Sequence, residues 1–216
     1  KLKDWRHYEH IAVKEAVLPF NKFPEESIFL SPEMKSTGEV MGISKTMGES
    51  FLRASISAGN NLPKNGKVFI SVNDGDKKAI IPIAKKLDRF GFSIVATSGT
   101  SSLLNVNGVS TDKIYKVGEG RPNVVDGIKN GEINLVINTP LGAQSRFDEE
   151  AIGKACIKKG ILAITTLSGA NAALDAVSHK DDFSVRSIQD YHLWYIKNNF
   201  FRPKIKIVDL RAEIII

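Results

Sequence analysis

From Gly66 to His179 five short apolar runs alternate with five helix-length segments, and no other feature of this 216-residue chain constrains its fold as much. Residues 67–72, 93–97, 113–117, 135–138 and 161–165 read as strands, rich in Val, Ile and Leu and bounded by Gly, Pro, Asn or Ser. Between them, residues 78–90, a short segment after 102, and residues 122–130, 147–159 and 168–177 read as helices. In 78–90 the apolar positions Ile80, Ile81, Ile83, Ala84, Leu87 and Phe90 recur at helical spacing. Pro82 is expected early in that helix, where a missing N–H costs least. Pro122 is expected near the start of its helix and Gly160 just past the end of another. Strict alternation with short loops implies an α/β fold: an open parallel sheet, Rossmann-like, with helices on both faces and right-handed crossovers.

Two flanks frame this zone. Residues 1–61 open with an apolar-rich strand candidate over 10–17, then carry Pro19, Pro24 and Pro32, which forbid a continuous helix. Met47, Phe51, Ala54 and Ala58 then recur at helical spacing up to Gly59-Asn60. These elements are too few to close a core and read as the edge of a larger upstream domain. Lys1 in place of an initiator methionine reads the same way, as a piece of a longer chain. At the other end, residues 183–190 fit one more strand or turn, and 202–216 are apolar and basic without periodicity.

A hydrophobic share of 42% and a charged share of 25% are those of a soluble globular chain. The net charge of +6 favours anionic ligands, but the basic residues are dispersed and not interleaved with aromatics, which argues against a nucleic-acid partner. No apolar run is long enough for a membrane span, and the polar start is no signal peptide, so the expected location is cytoplasmic. The single cysteine, Cys156, can form no internal disulfide and reads as a small core residue; no metal-ligand cluster stands out.

In an open parallel sheet, ligands sit beyond the C-terminal strand ends. The residues there are Asp74-Gly-Asp-Lys77, Thr97-Ser-Gly-Thr100-Ser101, Lys116 with Gly118-Glu-Gly-Arg-Pro122, Asn138-Thr-Pro-Leu-Gly142, and Thr165-Thr166 with Ser168-Gly169. This hydroxyl-rich rim with two lysines and an arginine suits a phosphate. A loop at Gly99 lets backbone N–H groups approach an anion, and a helix N-terminus adds partial positive charge. The hydroxyls of Thr97 and Thr100 can donate, while Lys77 and Lys116 neutralise. The competing reading is that Ser, Thr and Asn after a strand are ordinary helix caps. Lys85, Lys86, Lys158 and Lys159 read as solvated helix faces.

Two stretches, His10-Ile-Ala-Val-Lys-Glu-Ala-Val-Leu-Pro-Phe-Asn-Lys-Phe-Pro24 and Ser31-Pro-Glu-Met-Lys-Ser-Thr-Gly-Glu-Val-Met-Gly42, resemble the end of the second ATP-grasp half of carbamoyl-phosphate synthetase large chains. Gly75-Asp-Lys77, Ala96-Thr-Ser-Gly-Thr100, Gly118-Glu-Gly-Arg-Pro122, Asn130-Gly-Glu132 and Ile137-Asn-Thr139 resemble the methylglyoxal-synthase-like allosteric domain that follows in those chains. The likeness runs from Tyr8 to His192. It implies three parts: residues 1–61 as an ATP-grasp remnant, 62–192 as the allosteric domain, and 193–216 as an unassigned extension.

The resemblance implies the regulatory end of a ligase that makes carbamoyl phosphate for pyrimidine and arginine biosynthesis from bicarbonate, ATP and ammonia. A glutaminase small subunit would deliver the ammonia. ATP, magnesium or manganese, and potassium would bind upstream, leaving this piece without catalytic residues, metal sites or cofactors of its own. The implied effectors are nucleotides of the UMP or IMP type, held by Lys77, Thr97, Ser98, Thr100, Lys116, Asn138 and Thr139. Pro140 stands where the family has a further threonine, and Thr139 is the expected substitute. Glu15, Leu18 and Thr165 match an ornithine-type site, whose tyrosine is replaced by Ala163. The family likeness also implies self-association through this domain. The alternative is a free-standing lyase acting on dihydroxyacetone phosphate, but its carboxylate positions fall on Glu119-Gly-Arg-Pro122 and Thr139-Pro140, without an aspartate.

Overall fold

Apolar runs that can be covered on both faces become interior strands. In the computed structural model, which describes residues 10–22, 35–141, 145–179, 185, 187, 189–190, 206–209 and 214–215, these runs form β3 (Gly66–Val72), β4 (Phe92–Ala96), β6 (Leu135–Thr139) and β7 (Leu162–Ile164). With β5 (Asp112–Lys113) and β9 (Ile214–Ile215) they build a six-stranded sheet in the order β5-β4-β3-β6-β7-β9. The first five strands are parallel, as expected, while β9 runs antiparallel to β7. The α/β fold expected from the alternation is therefore present. The strand order reverses direction between β3 and β6, a relation that sequence order alone does not reveal.

The pleat divides the core. Val68, Ile70 and Val72 of β3 face one layer with Ile80, Ile83 and Leu87 of α2 (Lys77–Arg89), Leu104 of α3 (Ser98–Val106) and Leu174 of α6 (Leu167–Ser178). Phe69 faces the other layer with Val124 and Ile128 of α4 (Val124–Lys129) and Ile152 and Cys156 of α5 (Ser145–Lys159).

The N-terminal flank forms β1 (Ile11–Val17), antiparallel to β2 (Gly38–Ser44), and α1 (Met47–Ala58). Thr46 caps α1 by accepting from Glu49 N at 3.2 Å, and Gly59 ends it at φ 89°, a left-handed conformation that suits glycine. Val13, Phe51, Leu52 and Ala54 belong to the same buried cluster as Val68 and Ile80, so this flank shares the hydrophobic interior of the parallel sheet. At Gly48, α1 lies so close to α6 that a Cβ would sit 2.5 Å from the Asp175 carbonyl oxygen. Beyond the sheet, β8 (Lys206–Asp209) runs parallel to β1, so the C-terminal segment adds a strand to each sheet.

Several expectations are corrected. The helix containing Pro82 begins at Lys77, so the proline is its sixth residue and lies inside it. Residues 98–102 are the first turn of α3, not a loop before it. The strand expected over 113–117 covers only Asp112–Lys113: Ile114 N still donates to Ala96 O at 3.1 Å, after which Tyr115 pairs with Asn123 at the start of α4 and the chain leaves the sheet. Pro122 precedes α4; Asn123 is the cap, accepting from Asp126 N at 3.1 Å while Asp126 accepts from Asn123 N at 3.0 Å. The strand or turn expected over 183–190 falls mostly outside the described residues, as do Phe23, Pro24 and 31–34 of the N-terminal motifs.

Candidate functional site

In a doubly wound sheet, ligands settle at the C-terminal edge where the strand order reverses. Here that point lies between β3 and β6, and it opens into a cleft of about 340 Å³ lined by Ser71, Asn73, Asp74, Lys116, Asn138 and Asp148 among others. Thr139 also lines it but is 5% exposed; its Oγ1 accepts from Asn73 N at 3.3 Å and from Asn73 Nδ2 at 3.2 Å. Asn73 in turn donates through Nδ2 to Asp76 Oδ2 at 2.7 Å and accepts from Asp76 N at 3.2 Å. Thr139 thus fixes the turn between β3 and α2 and keeps only its own hydroxyl proton for a ligand.

Lys77, Thr97, Ser98 and Thr100 gather beside that cleft, at the N-terminus of α3. Thr97 occupies the cap position but its side chain makes no capping bond. Its Oγ1 lies instead 3.4 Å from Thr100 Oγ1 and 3.5 Å from Ser71 Oγ, at the long limit for hydrogen bonds. Three other polar residues near strand ends do behave as caps: Asn73 on the turn before α2, Thr166 on α6 and Asn123 on α4. The ordinary cap reading therefore holds for those three and fails for Thr97. Ser98 and Gly99 are exposed, and Lys77 Nζ lies 3.5 Å from the point where a Gly99 Cβ would sit. A cation, a helix N-terminus and two buried hydroxyls thus converge on one spot, with Ser71 linking them to the cleft.

The charges form a chain. Lys77 Nζ pairs with Asp74 Oδ1 at 2.5 Å. That hydrogen bond, the Lys77 charge and, more weakly, Lys116 hold the Asp74 carboxyl below its usual range. Asp148 goes the other way: burial raises it, Lys116 opposes and Glu119 adds to the rise. Lys77 and Lys116 therefore both face Asp74, and Lys116 also faces Asp148. Sequence reasoning named Asp74 without a role and missed Ser71 and Asp148. The signal for Asp148 was its place in the first turn of the helix that follows β6.

In the second group of sequence-selected residues, Glu15 and Leu18 share Asn60 as a neighbour. Leu18 lines a separate cleft of about 270 Å³ with Asn60, Ile157 and Leu162, where β1 ends and β7 begins. Thr165 lies past the opposite end of β7. Glu15 is buried behind Asn60, accepting from Asn60 Nδ2 at 2.6 Å and from Ser55 Oγ at 3.1 Å. Burial raises its carboxyl above the usual value, against the lowering effect of those two hydrogen bonds. The folded state therefore holds this proton more tightly than the unfolded one. The resulting stabilisation is complete below the ordinary carboxylate pKa and is lost as pH rises through the folded value. Glu15→Gln is expected to match the parent near about pH 4 and to exceed it in stability increasingly toward about pH 8. Urea unfolding at both pH values checks this; a difference that does not grow with pH would count against a buried Glu15 carboxyl.

Among the described residues, no group of three or more His, Cys, Asp or Glu is placed to hold a metal ion, and no helix is long and apolar enough to cross a membrane.

Residues 79–165 match the MGS-like domain family. The carbamoyl phosphate synthase large chain of Acidobacterium capsulatum is 48% identical over 192 residues, covering 88% of this chain and 18% of that protein. The Pasteurella multocida large chain is 49% identical over 182 residues, covering 84% of this chain and 17% of that protein. The protein called carbamoyl phosphate synthase large chain, C-terminal section, of Aquifex aeolicus is 46% identical over 188 residues, covering 84% of this chain and 35% of that protein. The chain thus spans about one-sixth to one-third of the length of these relatives.

Proposed function

Because this chain is a relative of carbamoyl phosphate synthase large chains and carries an MGS-like domain, we propose that it is the regulatory part of such an enzyme, binding a nucleoside monophosphate of the UMP or IMP type. ATP-dependent synthesis of carbamoyl phosphate from bicarbonate and glutamine-derived ammonia would belong to the rest of the polypeptide and to its glutaminase partner. The ATP, magnesium and potassium of that chemistry would bind there.

One observation carries the reading. Thr97 leaves the N-terminus of α3 uncapped while Lys77 stands beside Gly99, so the first-turn N–H groups, a cation and the Thr97 and Thr100 hydroxyls are directed at the same place. The adjoining cleft supplies Asn138, Lys116 and Asp148 for the remainder of a nucleotide. The phosphate would sit on α3, and the sugar and base in the cleft between β3 and β6.

Regulation follows by linkage. A ligand that favours one packing of this domain on the catalytic part changes substrate affinity, and substrates change ligand affinity by the same factor. The flank 11–58 is suited to transmit such a bias, since Phe51 and Leu52 share the buried cluster of the parallel sheet.

The test is calorimetric titration of the 216-residue chain with UMP and with IMP. Binding is expected, with Lys77→Ala weakening it by about tenfold or more, the loss of one charge-assisted hydrogen bond. No heat at millimolar nucleotide, or a Lys77→Ala variant indistinguishable from the parent, would overturn the reading.

A further inference from the structure

Lys77 is already engaged. Its ammonium pairs with Asp74 at 2.5 Å, yet the Asp74 side chain is 92% exposed and the Lys77 side chain 32%. The two other polar groups of that turn are committed elsewhere: Asn73 to Thr139 and Asp76, and Asp76 to Asn73. Among the described residues, Asp74 pairs with Lys77, in water, where an ion pair contributes little and breaks readily. It also stands on the lining of the cleft, facing Lys116 as well as Lys77.

On the reading that the α3 N-terminus holds a phosphate-type anion, we infer that Asp74 is the resting counter-ion of Lys77, which the anion must displace, and so an affinity- and selectivity-determining residue. An anion bound beside Gly99 would compete with the Asp74 carboxylate for the same ammonium and would be repelled by it once bound. A monoanion gains too little from Lys77 to offset that repulsion. A dianion that also accepts from the first turn of α3 and from Thr97 and Thr100 gains enough. Asp74 thereby excludes chloride and simple carboxylates while admitting a phosphate monoester. With Asp74 in place, the Lys77 ammonium is paired when the site is empty.

Sulfate is the probe, because its charge is constant over the range in which Asp74 titrates; UMP is the companion ligand. Both are titrated into the parent chain, Asp74→Asn, Lys77→Ala and the double variant, with amide NMR shifts of Ser98–Thr100 as a second readout. Asp74→Asn is expected to tighten sulfate binding by about two- to fivefold, the range of a lost surface ion-pair competitor. The gain is expected to vanish in the Lys77→Ala background. The parent's sulfate affinity is expected to rise as pH falls through the lowered range of Asp74, and that of Asp74→Asn to rise less, through Asp148, the other cleft carboxylate, which titrates above its usual range. If Lys77→Ala weakens sulfate and UMP but Asp74→Asn leaves both unchanged or weaker, the counter-ion role is wrong and the anion site stands. If the parent binds neither ligand, the site itself is wrong and the counter-ion role falls with it.

Discussion

Gly42→Ala is expected to destabilise the chain by about 3 kcal/mol, the upper range for forcing an extra carbon into a packed site. Gly42 lies on β2 where that strand touches α1. An added Cβ would fall on the Ser50 carbonyl oxygen and 2.6 Å from Ala54 N. Both are backbone atoms of a helix, so no side chain can swing aside. The helix must move off the strand, and Phe51, Leu52 and Ala54 must move with it. These residues are at most 1% exposed and belong to the same buried cluster as Val68, Ile80 and Leu174. The strain therefore spreads into the parallel sheet. For a chain of this size the midpoint should fall by roughly 6–12 °C in a thermal unfolding scan. Gly38→Ala, on the same strand with nothing within 4 Å of its Cβ position, is the control and should lie within about 0.5 kcal/mol of the parent. A Gly42→Ala protein that melts with the parent would mean that α1 does not rest on β2 as described.

Lys116→Glu is expected to weaken nucleotide binding by about 100-fold or more, combining the loss of a charged donor with repulsion of comparable size. Lys116 is the one basic residue among the described lining of the cleft, where Asp74 and Asp148 already supply two carboxylates. Reversal turns a mixed site into an acidic one. It also removes the influence that opposes the burial-driven rise of Asp148 and adds a like charge, so the Asp148 carboxyl should move further up. Lys116 is exposed, so the fold should survive and an unfolding curve close to the parent's should accompany the lost calorimetric signal. Lys116→Gln should retain more affinity than Lys116→Glu. If both variants bind nucleotide like the parent, the ligand does not enter the cleft between β3 and β6.

The interior strands were legible in the sequence because burial on both faces leaves an unbroken apolar run: 67–72 and 135–138 became β3 and β6 almost residue for residue. Helix α1 was legible at both ends, from its apolar spacing and from Gly59. The third strand was not, since Ile114, Tyr115 and Val117 carry a strand-like pattern, yet after the Ile114 N–Ala96 O bond the chain turns to pair Tyr115 with Asn123 at the cap of α4. Pro82 was misplaced because the start of α2 depends on Asn73 capping a short turn, a contact made through Thr139 from a distant strand. The candidate site divided the same way. Lys77, Thr97, Thr100 and Lys116 follow strands and Asn138 lies in the last two residues of one, so all could be found by reading strand ends. Ser71 could not, and Asp148 offered only its place in the first turn of α5, because the relevance of both depends on β6 lying next to β3, which is long-range pairing. The C-terminal segment carried no periodicity, and its two short strands owe their places to pairing with β1 and β7.

Cys156 sits between α5 and the sheet at 0% exposure, and burial pushes its thiol up to about 12. A thiolate-seeking reagent can therefore reach it only when that face of the core opens. The chain's sole cysteine is a built-in clock for such openings, read from the alkylation rate with no engineering. The same silence lets a second cysteine, introduced on the rim of the ligand cleft, take up a fluorophore selectively under native conditions. A dye placed there would report occupancy in the unmodified background.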